Sequence, residues 1–203
     1  MQEEFIQAQM PFDNLTGMKE YLLVIQPDEE VYNKVSKEKQ CFYEQYGQKV
    51  SIKTKPHITV ANFMAREEME ETLIRWIQRI GHQHGSFPVT LNNYSGFPPH
   101  TVYLRVQDHQ PFKRLAIQLR VIDGYVRSNG CPPVYLCNRP YMSIARRLPE
   151  KVYEKAMTDY SKKTFIETFA ARELTLLKRA HQYDGCQVVS KFQLPANNNN
   201  LFN

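Results

Sequence analysis

The sequence lacks a long apolar run and lacks the common glycine-rich motifs of nucleotide-binding proteins. None of its hydrophobic stretches approaches the roughly 20 residues that a membrane-spanning helix needs. The N-terminus, MQEEFIQAQM, is polar and acidic, whereas a secretory signal is basic and then apolar. G-x-x-x-x-G-K-[ST], G-x-G-x-x-G and G-x-S-x-G are absent, which excludes the usual phosphate loops and the serine-hydrolase elbow. We expect a cytoplasmic protein that does not span a membrane.

Cysteine is sparse, and no C-x-x-C pair is present. Without a secretory signal, we expect reduced thiols rather than a disulfide framework. His82 and His84 lie close together, but no cysteine or carboxylate accompanies them at the spacing of a zinc site. We therefore expect no metal and no other cofactor. The four cysteines are Cys41, Cys131, Cys137 and Cys186.

Charge is nearly balanced, with 26 Lys and Arg against 21 Asp and Glu and a formal net charge of +5. This dispersed excess suits a small anionic ligand or an RNA end, and it is too small for an extended nucleic-acid-binding surface. A hydrophobic fraction of 42% is enough for a core, which excludes a disordered chain. We expect one monomeric, bilobal domain over residues 1–195 and a disordered Asn-rich tail over 196–203.

Strands and helices alternate along the chain without a separating linker. Apolar runs rich in strand formers predict strands, and apolar residues at helical spacing predict helices between them. This order favours an α+β fold with antiparallel sheets over a doubly wound parallel sheet. The predicted strands are 21–26, 58–63, 88–94, 101–106, 141–145 and a closing pair in 173–180 and 186–194. The predicted helices begin after Asp28, at Arg66, after Asp108 and at Pro149.

A short internal repeat is the most informative feature of the sequence. Lys55–Ala61 reads KPHITVA, and Arg139–Ala145, 84 residues later, reads RPYMSIA. Each copy has a basic residue, proline, a ring, an aliphatic residue or Met, a hydroxyl, a β-branched residue and alanine. Each copy also follows a loop and precedes a predicted amphipathic helix. The repeat therefore predicts two related lobes, each of which supplies one strand to a shared cleft.

Strand alternation predicts which repeat residues face that cleft. Residues two apart on a strand share a face, so His57 and Thr59 project together while Ile58 and Val60 face the opposite layer. The second copy gives the cleft pair Tyr141 and Ser143 and the opposite pair Met142 and Ile144. Hydroxyls can donate to phosphoryl oxygens while an imidazole transfers a proton, so the four polar side chains predict a phosphate-handling site without a metal. A single H-x-T in a strand is common by chance, and the matched copy strengthens the prediction.

The repeat resembles the two H-x-[ST] strands of the 2H phosphoesterase superfamily, which includes 2′-5′ RNA ligase-like proteins and cyclic nucleotide phosphodiesterases. PHITVA carries the first motif, and PYMSIAR at Pro140–Arg146 carries the second with one change. The resemblance covers roughly Tyr21 to Leu194. It implies two pseudo-symmetric α+β lobes with antiparallel sheets around a central cleft. It also implies action on a 2′,3′-cyclic phosphate or a 2′-5′ linkage of a nucleotide or RNA end.

The resemblance assigns roles residue by residue. His57 matches a catalytic histidine, Thr59 and Ser143 match the hydroxyls that hold the phosphate, and Arg146 matches an arginine that neutralises its charge. Tyr141 stands where the family has its second histidine. A phenol with an ordinary pKa near ~10 stays protonated at neutral pH, so Tyr141 could donate a proton or a hydrogen bond but would be a poor base.

Several alternatives remain open from the sequence. Arg146 lies an odd number of residues from Ser143, so it reaches the site only if the strand ends or bulges there, and a solvated arginine is the other interpretation. Phe63 and Tyr103 could stack on a base, or they could pack in the core. His100 could substitute for the missing histidine or lie on the rim.

The leading functional hypothesis is a phosphoesterase with altered chemistry, and the alternative is a phosphate- or nucleotide-binding module of the same fold that has lost turnover. Unrelated metabolite chemistry in the same cleft is a third class, which no particular residue favours.

Overall fold

Two antiparallel β-sheets form the centre of the computed structural model, which describes residues 17–180 and 184–196. Nine strands are assigned in these residues: β1 (Met18–Ile25), β2 (Ile58–Arg66), β3 (Phe87–Phe97), β4 (Thr101–Val106), β5 (Tyr135–Leu136), β6 (Tyr141–Ala145), β7 (Ile166–Ala171), β8 (Glu173–Arg179) and β9 (Gln187–Gln193). Sheet A has the order β5-β2-β1-β8-β9, and sheet B has the order β6-β4-β3-β7. All pairings are antiparallel. The expected α+β fold is confirmed.

Six α-helices connect these strands within the described residues. They are α1 (Glu29–Tyr46), α2 (Val50–Lys53), α3 (Glu70–His84), α4 (Gln110–Gln118), α5 (Arg120–Ser128) and α6 (Glu150–Tyr160). The carboxylate of Asp28 accepts a hydrogen bond from the Val31 amide and begins α1. Gly47, with a φ of 70°, ends the same helix in the left-handed conformation that glycine adopts without strain.

The two lobes exchange elements. The order β2-β1-β8-β9 in sheet A corresponds to β6-β4-β3-β7 in sheet B, and β2 and β6 carry the two copies of the repeat. However, β3 follows the first copy in the chain and lies in sheet B, whereas β8 follows the second copy and lies in sheet A. Likewise α1 follows a strand of sheet A and packs against β6 and β7 of sheet B. Each lobe is therefore completed by the other half of the sequence.

Some predicted elements differ from the structure. The expected single helix after Asp108 is two helices, because the turn tightens at Leu119, where ψ is −6° and the Ile122 amide bonds to the carbonyl three residues back. The helix predicted from Arg66 begins instead at Glu70, because β2 continues to Arg66 and a single 3-10 turn follows. Strands β5 and β7 were not predicted. The expected tail, apart from Ala196, lies outside the described residues.

Candidate active site

The two repeat strands lie against each other, and the polar residues of the first copy are more accessible than their apolar neighbours. Strands β2 and β6 are in contact across the boundary between the sheets. In the first copy, His57, which precedes β2, and Thr59 on β2 are half-buried, while Ile58 and Val60 are inaccessible to solvent. On β6, Tyr141 is half-buried and Ser143 retains 9% exposure. Met142 and Ile144 are fully buried, so the polar residue types of both copies lie on the faces that remain partly accessible.

Both strands carry a β-bulge at the same position of the repeat. Val24 pairs with Thr59 and Leu23 with Ala61, which leaves Val60 as the extra residue of β2. In the second copy, Tyr103 pairs with Ser143 and Val102 pairs with Ala145, so Ile144 is the extra residue of β6. The two extra residues are 84 positions apart, as the repeat is. A bulge adds a residue and redirects the strand that follows it.

Arg146 follows both a bulge and a strand end, so strand alternation does not direct its side chain away from the site. Strand β6 ends at Ala145, and Arg147 has a φ of 56°, in the left-handed region that few non-glycine residues adopt. Alternation is therefore broken before Arg146, as its participation in the site requires. Its charge lowers the pKa of His57 and opposes the rise in the pKa of Tyr141. Arg146 thus lies close enough to both ring residues for its charge to act on each.

His57 has a defined tautomer. Its Nδ1 lies 2.7 Å from the carbonyl oxygen of Lys55, and a carbonyl can only accept, so Nδ1 carries the hydrogen and donates. Burial lowers the pKa of His57 to about 4, the Lys55 bond partly opposes this, and the charges of Arg146 and Lys39 lower it further. At neutral pH the ring is neutral and Nε2 is unprotonated. His57 is therefore in the form required of a general base.

Burial shifts the pKa values of both Tyr141 and Arg146. Burial raises the pKa of Tyr141, and the Arg146 charge offsets only part of that rise, so the phenol keeps its proton at neutral pH. Burial lowers the pKa of Arg146 although the residue is exposed to solvent. A guanidinium remains charged despite such a shift. His57, Tyr141 and Arg146 are thus a neutral base, a neutral donor and a fixed cation.

Three aromatic rings form a cluster beside Tyr141. The rings of Phe97 and Tyr103 stack with centroids 4.4 Å apart, and Tyr141 packs against both at 5.1 and 5.0 Å. All three residues are half-buried. Tyr103 pairs with Ser143 across the sheet, which places it on the same face as the phosphate-binding candidate. Phe97 was missed from the sequence because it lies in the turn-rich segment SGFPPH.

Phe63 does not share this environment. It is 3% exposed, and its ring stacks on fully buried Tyr21 with centroids 5.4 Å apart. The structure therefore shows the second role considered for Phe63, which is packing in the core. The alternation that would have put Phe63 on the His57 face is interrupted by the bulge at Val60.

His100 lies in the turn between β3 and β4. Its Nδ1 is 3.4 Å from the carbonyl oxygen of Leu148, and its own carbonyl accepts from the Leu148 amide. It therefore packs beside the loop that follows β6.

Lys39 is a further charged residue at the site, and it was not predicted. It is 2% exposed, and its Nζ lies 3.2 Å from the Thr54 hydroxyl and from the carbonyl oxygens of Ser143 and Ile144. The sequence contained a signal, because Lys39 lies four residues after Val35 and three before Phe42, which is the helical spacing of the buried face of α1. A charged residue in that position must find buried partners.

In 17–180 and 184–196, no helix is both long and apolar enough to cross a membrane, and no group of three or more His, Cys, Asp or Glu side chains could hold a metal ion. A shallow surface pocket lined by Phe87, Thr168 and Ala196 contains none of the repeat residues.

Comparison with known proteins supports the interpretation of the repeat. A family model described as the 2′-5′ RNA ligase superfamily matches residues 27–182, a range that contains both copies. No curated protein matches the chain in sequence.

Solved structures with a similar fold cover nearly all of the described chain. TT0787 of Thermus thermophilus is 16% identical with a TM-score of 0.64, and the match covers 87% of this chain and 98% of that one. Escherichia coli LigT complexed with 3′-AMP is 17% identical with a TM-score of 0.61, over 87% and 98% of the two chains. LigT complexed with phosphate is 16% identical with a TM-score of 0.58, over 88% and 99%. At these identities the matches show a shared fold.

Proposed function

Because the chain belongs to the 2′-5′ RNA ligase superfamily of 2H phosphoesterases, we propose that it cleaves a phosphodiester by acid–base chemistry that needs no metal. The substrate class is a 2′,3′-cyclic phosphate or a 2′-5′ linkage of a nucleotide or RNA end. The observation that carries the proposal is the bond from His57 Nδ1 to the Lys55 carbonyl, which leaves Nε2 as a free base close to the Arg146 charge. The 3′-AMP and phosphate bound to LigT support a small anionic ligand.

The reaction on a cyclic phosphate is a hydrolysis. Nε2 of His57 takes a proton from water, and the resulting hydroxide forms a bond to phosphorus. The bond from phosphorus to one ribose oxygen breaks, and that oxygen takes up a proton from solvent to give a hydroxyl and a phosphomonoester. Thr59 and Ser143 donate hydrogen bonds to the phosphoryl oxygens, and Arg146 stabilises the charge that develops on them.

Tyr141 acts as a hydrogen-bond donor in this scheme. Burial raises its pKa, so transfer of its proton is less favourable than for a free phenol. A phenol that keeps its proton can still stabilise the developing negative charge of the leaving oxygen. The cleft therefore retains the base of the family and replaces the second histidine with a neutral donor.

The aromatic cluster supports a base-binding role for Tyr103. Its ring stacks on Phe97 and lies on the sheet face that carries Ser143, so a nucleotide phosphate held there would bring its base near these rings.

We propose that the protein acts as a cytoplasmic monomer, on the grounds of the sequence alone.

The proposal is tested with the full-length protein and a 2′,3′-cyclic nucleotide in the presence of a chelator. Hydrolysis should proceed, and His57→Ala should lower its rate by about 10²–10⁴-fold through loss of the base. His82→Ala, which changes an exposed histidine on α3, is the matched control and should retain the wild-type rate. A rate that His57→Ala leaves unchanged, or an activity that the chelator removes, would contradict the proposal.

A binding module without turnover is the second candidate, and the state of Tyr141 favours it. Because Tyr141 is a poor acid and His57 has a pKa of about 4, the site binds an anion more readily than it moves protons. In that case the wild-type protein binds inorganic phosphate or a cyclic nucleotide in a calorimetric titration and leaves the cyclic nucleotide intact.

A further inference from the structure

Lys39 joins helix α1 to the second repeat strand at its bulge. Its Nζ is 3.2 Å from the carbonyl oxygens of Ser143 and Ile144, which are 104 and 105 positions away in the chain. In a regular strand, successive carbonyls point toward opposite edges. The bulge at Ile144 breaks that pattern, which explains how one amine can reach two successive carbonyls. The contact is therefore specific to the irregular end of β6.

The equivalent bulge in the first copy has a different partner. The carbonyl of Val60 accepts a hydrogen bond of 2.8 Å from the Cys137 amide, next to the short strand β5 that borders β2. Among the strands that the structure describes, β6 lies at the edge of sheet B and has no such neighbour. Its outward carbonyls still need donors because they are buried. Lys39 supplies at the second bulge what a backbone amide supplies at the first.

Using a buried lysine as the hydrogen-bond donor to two carbonyls carries a desolvation cost. Lys39 is 2% exposed, and burying an ammonium requires compensation by several hydrogen bonds. No acidic side chain is its ion-pair partner within the described residues. The charge is instead placed near the Arg146 guanidinium, since Arg146 lowers the pKa of Lys39 and both cations lower the pKa of the neutral His57 ring. Such a concentration of positive charge calls for an anion.

We propose that Lys39 is a positioning residue of the phosphate site: its ammonium holds the β6 bulge, sets Ser143 and Arg146 relative to His57, and adds a buried positive charge that a bound phosphate neutralises. This role rests on the proposed function, because it assumes that the cleft binds a phosphate. It goes beyond that function by assigning a part of the site to a residue outside both motifs.

Lys39 is not the proton donor that the missing histidine would have been. An ammonium has three N–H groups, and all three are directed at Thr54 and the two carbonyls. Burial and the Arg146 charge lower the pKa of Lys39 to about 7. If it loses its proton, the Thr54 hydroxyl can turn and donate to Nζ while both carbonyl bonds remain. The clamp therefore survives in either state, but the charge does not.

Lys39→Met tests the proposal against Lys37→Met, which makes the same chemical change at an exposed position of the same helix. The readouts are the kinetics of 2′,3′-cyclic nucleotide hydrolysis and amide hydrogen exchange along β6. We expect Lys39→Met to lower kcat/KM by about 10–100-fold through misplacement of the phosphate-binding groups, while Lys37→Met stays within about twofold of wild type. Exchange at residues 143–147 should be faster in Lys39→Met only.

The pH profile separates the charge from a purely structural role. Two ionisable side chains interact electrostatically with Lys39. Arg146, after β6, lowers the pKa of Lys39, and Lys39 lowers the pKa of His57, before β2. Thr54 and the β6 carbonyls, which contact Nζ, are uncharged. The single phosphodiester charge of a cyclic nucleotide does not change near neutral pH. Wild-type kcat/KM should therefore fall as pH rises through about 7, and the fall should be absent in Lys39→Met.

The outcomes distinguish this inference from the proposed function. Wild-type protein that neither hydrolyses the cyclic nucleotide nor binds inorganic phosphate contradicts the proposed function, and the role of Lys39 fails with it. Where turnover is absent but phosphate binds, the affinity for the intact cyclic nucleotide, whose charge is constant in this range, replaces kcat/KM in the same comparisons. The Lys39 proposal alone is overturned if the wild type is active or binds phosphate and Lys39→Met matches it in activity, in hydrogen exchange or in pH profile. Urea unfolding of Lys39→Met and Lys37→Met checks that both variants are folded, so that a lower kcat/KM is not caused by unfolding.

Discussion

Nδ1 of His57 lies 2.7 Å from the carbonyl oxygen of Lys55, two residues earlier, and this bond determines which ring nitrogen is available for chemistry. The residue between them is Pro56, whose ring fixes one backbone dihedral and so limits the directions that the chain can take between the carbonyl and the imidazole. The local sequence K-P-H thus orients the imidazole as well as placing it. Because the hydrogen is on Nδ1, a ligand meets an unprotonated Nε2.

Phosphate binding should raise the pKa of His57. In the free protein, burial lowers it to about 4, and the Arg146 and Lys39 charges contribute to that shift. A bound anion neutralises these charges and favours the imidazolium, so the sign of the change is upward. NMR titration of the His57 ring with and without inorganic phosphate measures it, with exposed His82 as the control. An unchanged His57 pKa at saturating phosphate would place the anion elsewhere.

Substitution of Tyr141 should separate donation from proton transfer. Tyr141→Phe removes the hydroxyl and should lower kcat by about 10–1000-fold if the phenol stabilises the leaving oxygen. Tyr141→His restores the residue type of the family motif and should increase cyclic phosphodiesterase activity above wild type. The measurement is kcat for a 2′,3′-cyclic nucleotide. Equal rates for wild type and Tyr141→Phe would exclude a role for the hydroxyl.

Gly96→Ala should destabilise the fold, because Gly96 lies where helix α6 closes on strand β3. A Cβ at this position would collide with the Tyr153 hydroxyl and lie 2.8 Å from Sδ of Met157. Tyr153 is buried, so its ring cannot move aside freely. We expect a loss of about 1–3 kcal/mol in the free energy of unfolding. Gly124→Ala is the control in urea unfolding, since its Cβ meets nothing within 4 Å and alanine favours the helix by about 0.5–1 kcal/mol.

The buried Lys39 should also make stability depend on pH. Its pKa is about 7 in the folded protein and near its ordinary value when unfolded, so the unfolded chain binds more protons between these values. The free energy of unfolding should therefore rise with pH from about 7 to 9 in wild type relative to Lys39→Met. Urea unfolding of both proteins at the two ends of this range measures the difference. Parallel pH dependences would show that Lys39 titrates normally.

Much of the site was predictable because the repeat lies on strands. Burial follows the alternation expected for His57 and Thr59 as far as Val60, whereas on β6 only Tyr141 is half-buried and the residues after it, Ser143 included, are buried. The need for a strand end or bulge before Arg146 also followed from that alternation, and the structure contains both. By contrast, strand β7 and the break at Leu119 depend on what packs around them, and short local patterns do not report this.

The residues missed from the sequence share one property. Phe97 and Lys39 acquire their roles only through contacts with segments distant in the chain: Phe97 stacks on Tyr103 and meets Tyr141, and Lys39 bonds to the β6 carbonyls. Neither belongs to a motif. Lys39 interrupts the apolar stripe of α1, which indicates an unusual environment but does not identify the partner.

The sequence by itself determined which residues of each repeat copy share a strand face, because alternation along a strand depends on neighbouring residues only. Tertiary structure alone decided that α1 crosses to the other sheet, that the edge of β6 receives a lysine, and that three rings gather beside Tyr141. These outcomes depend on how two exchanged lobes bury their apolar surfaces together. That packing is a property of the whole chain, so no local pattern encodes it.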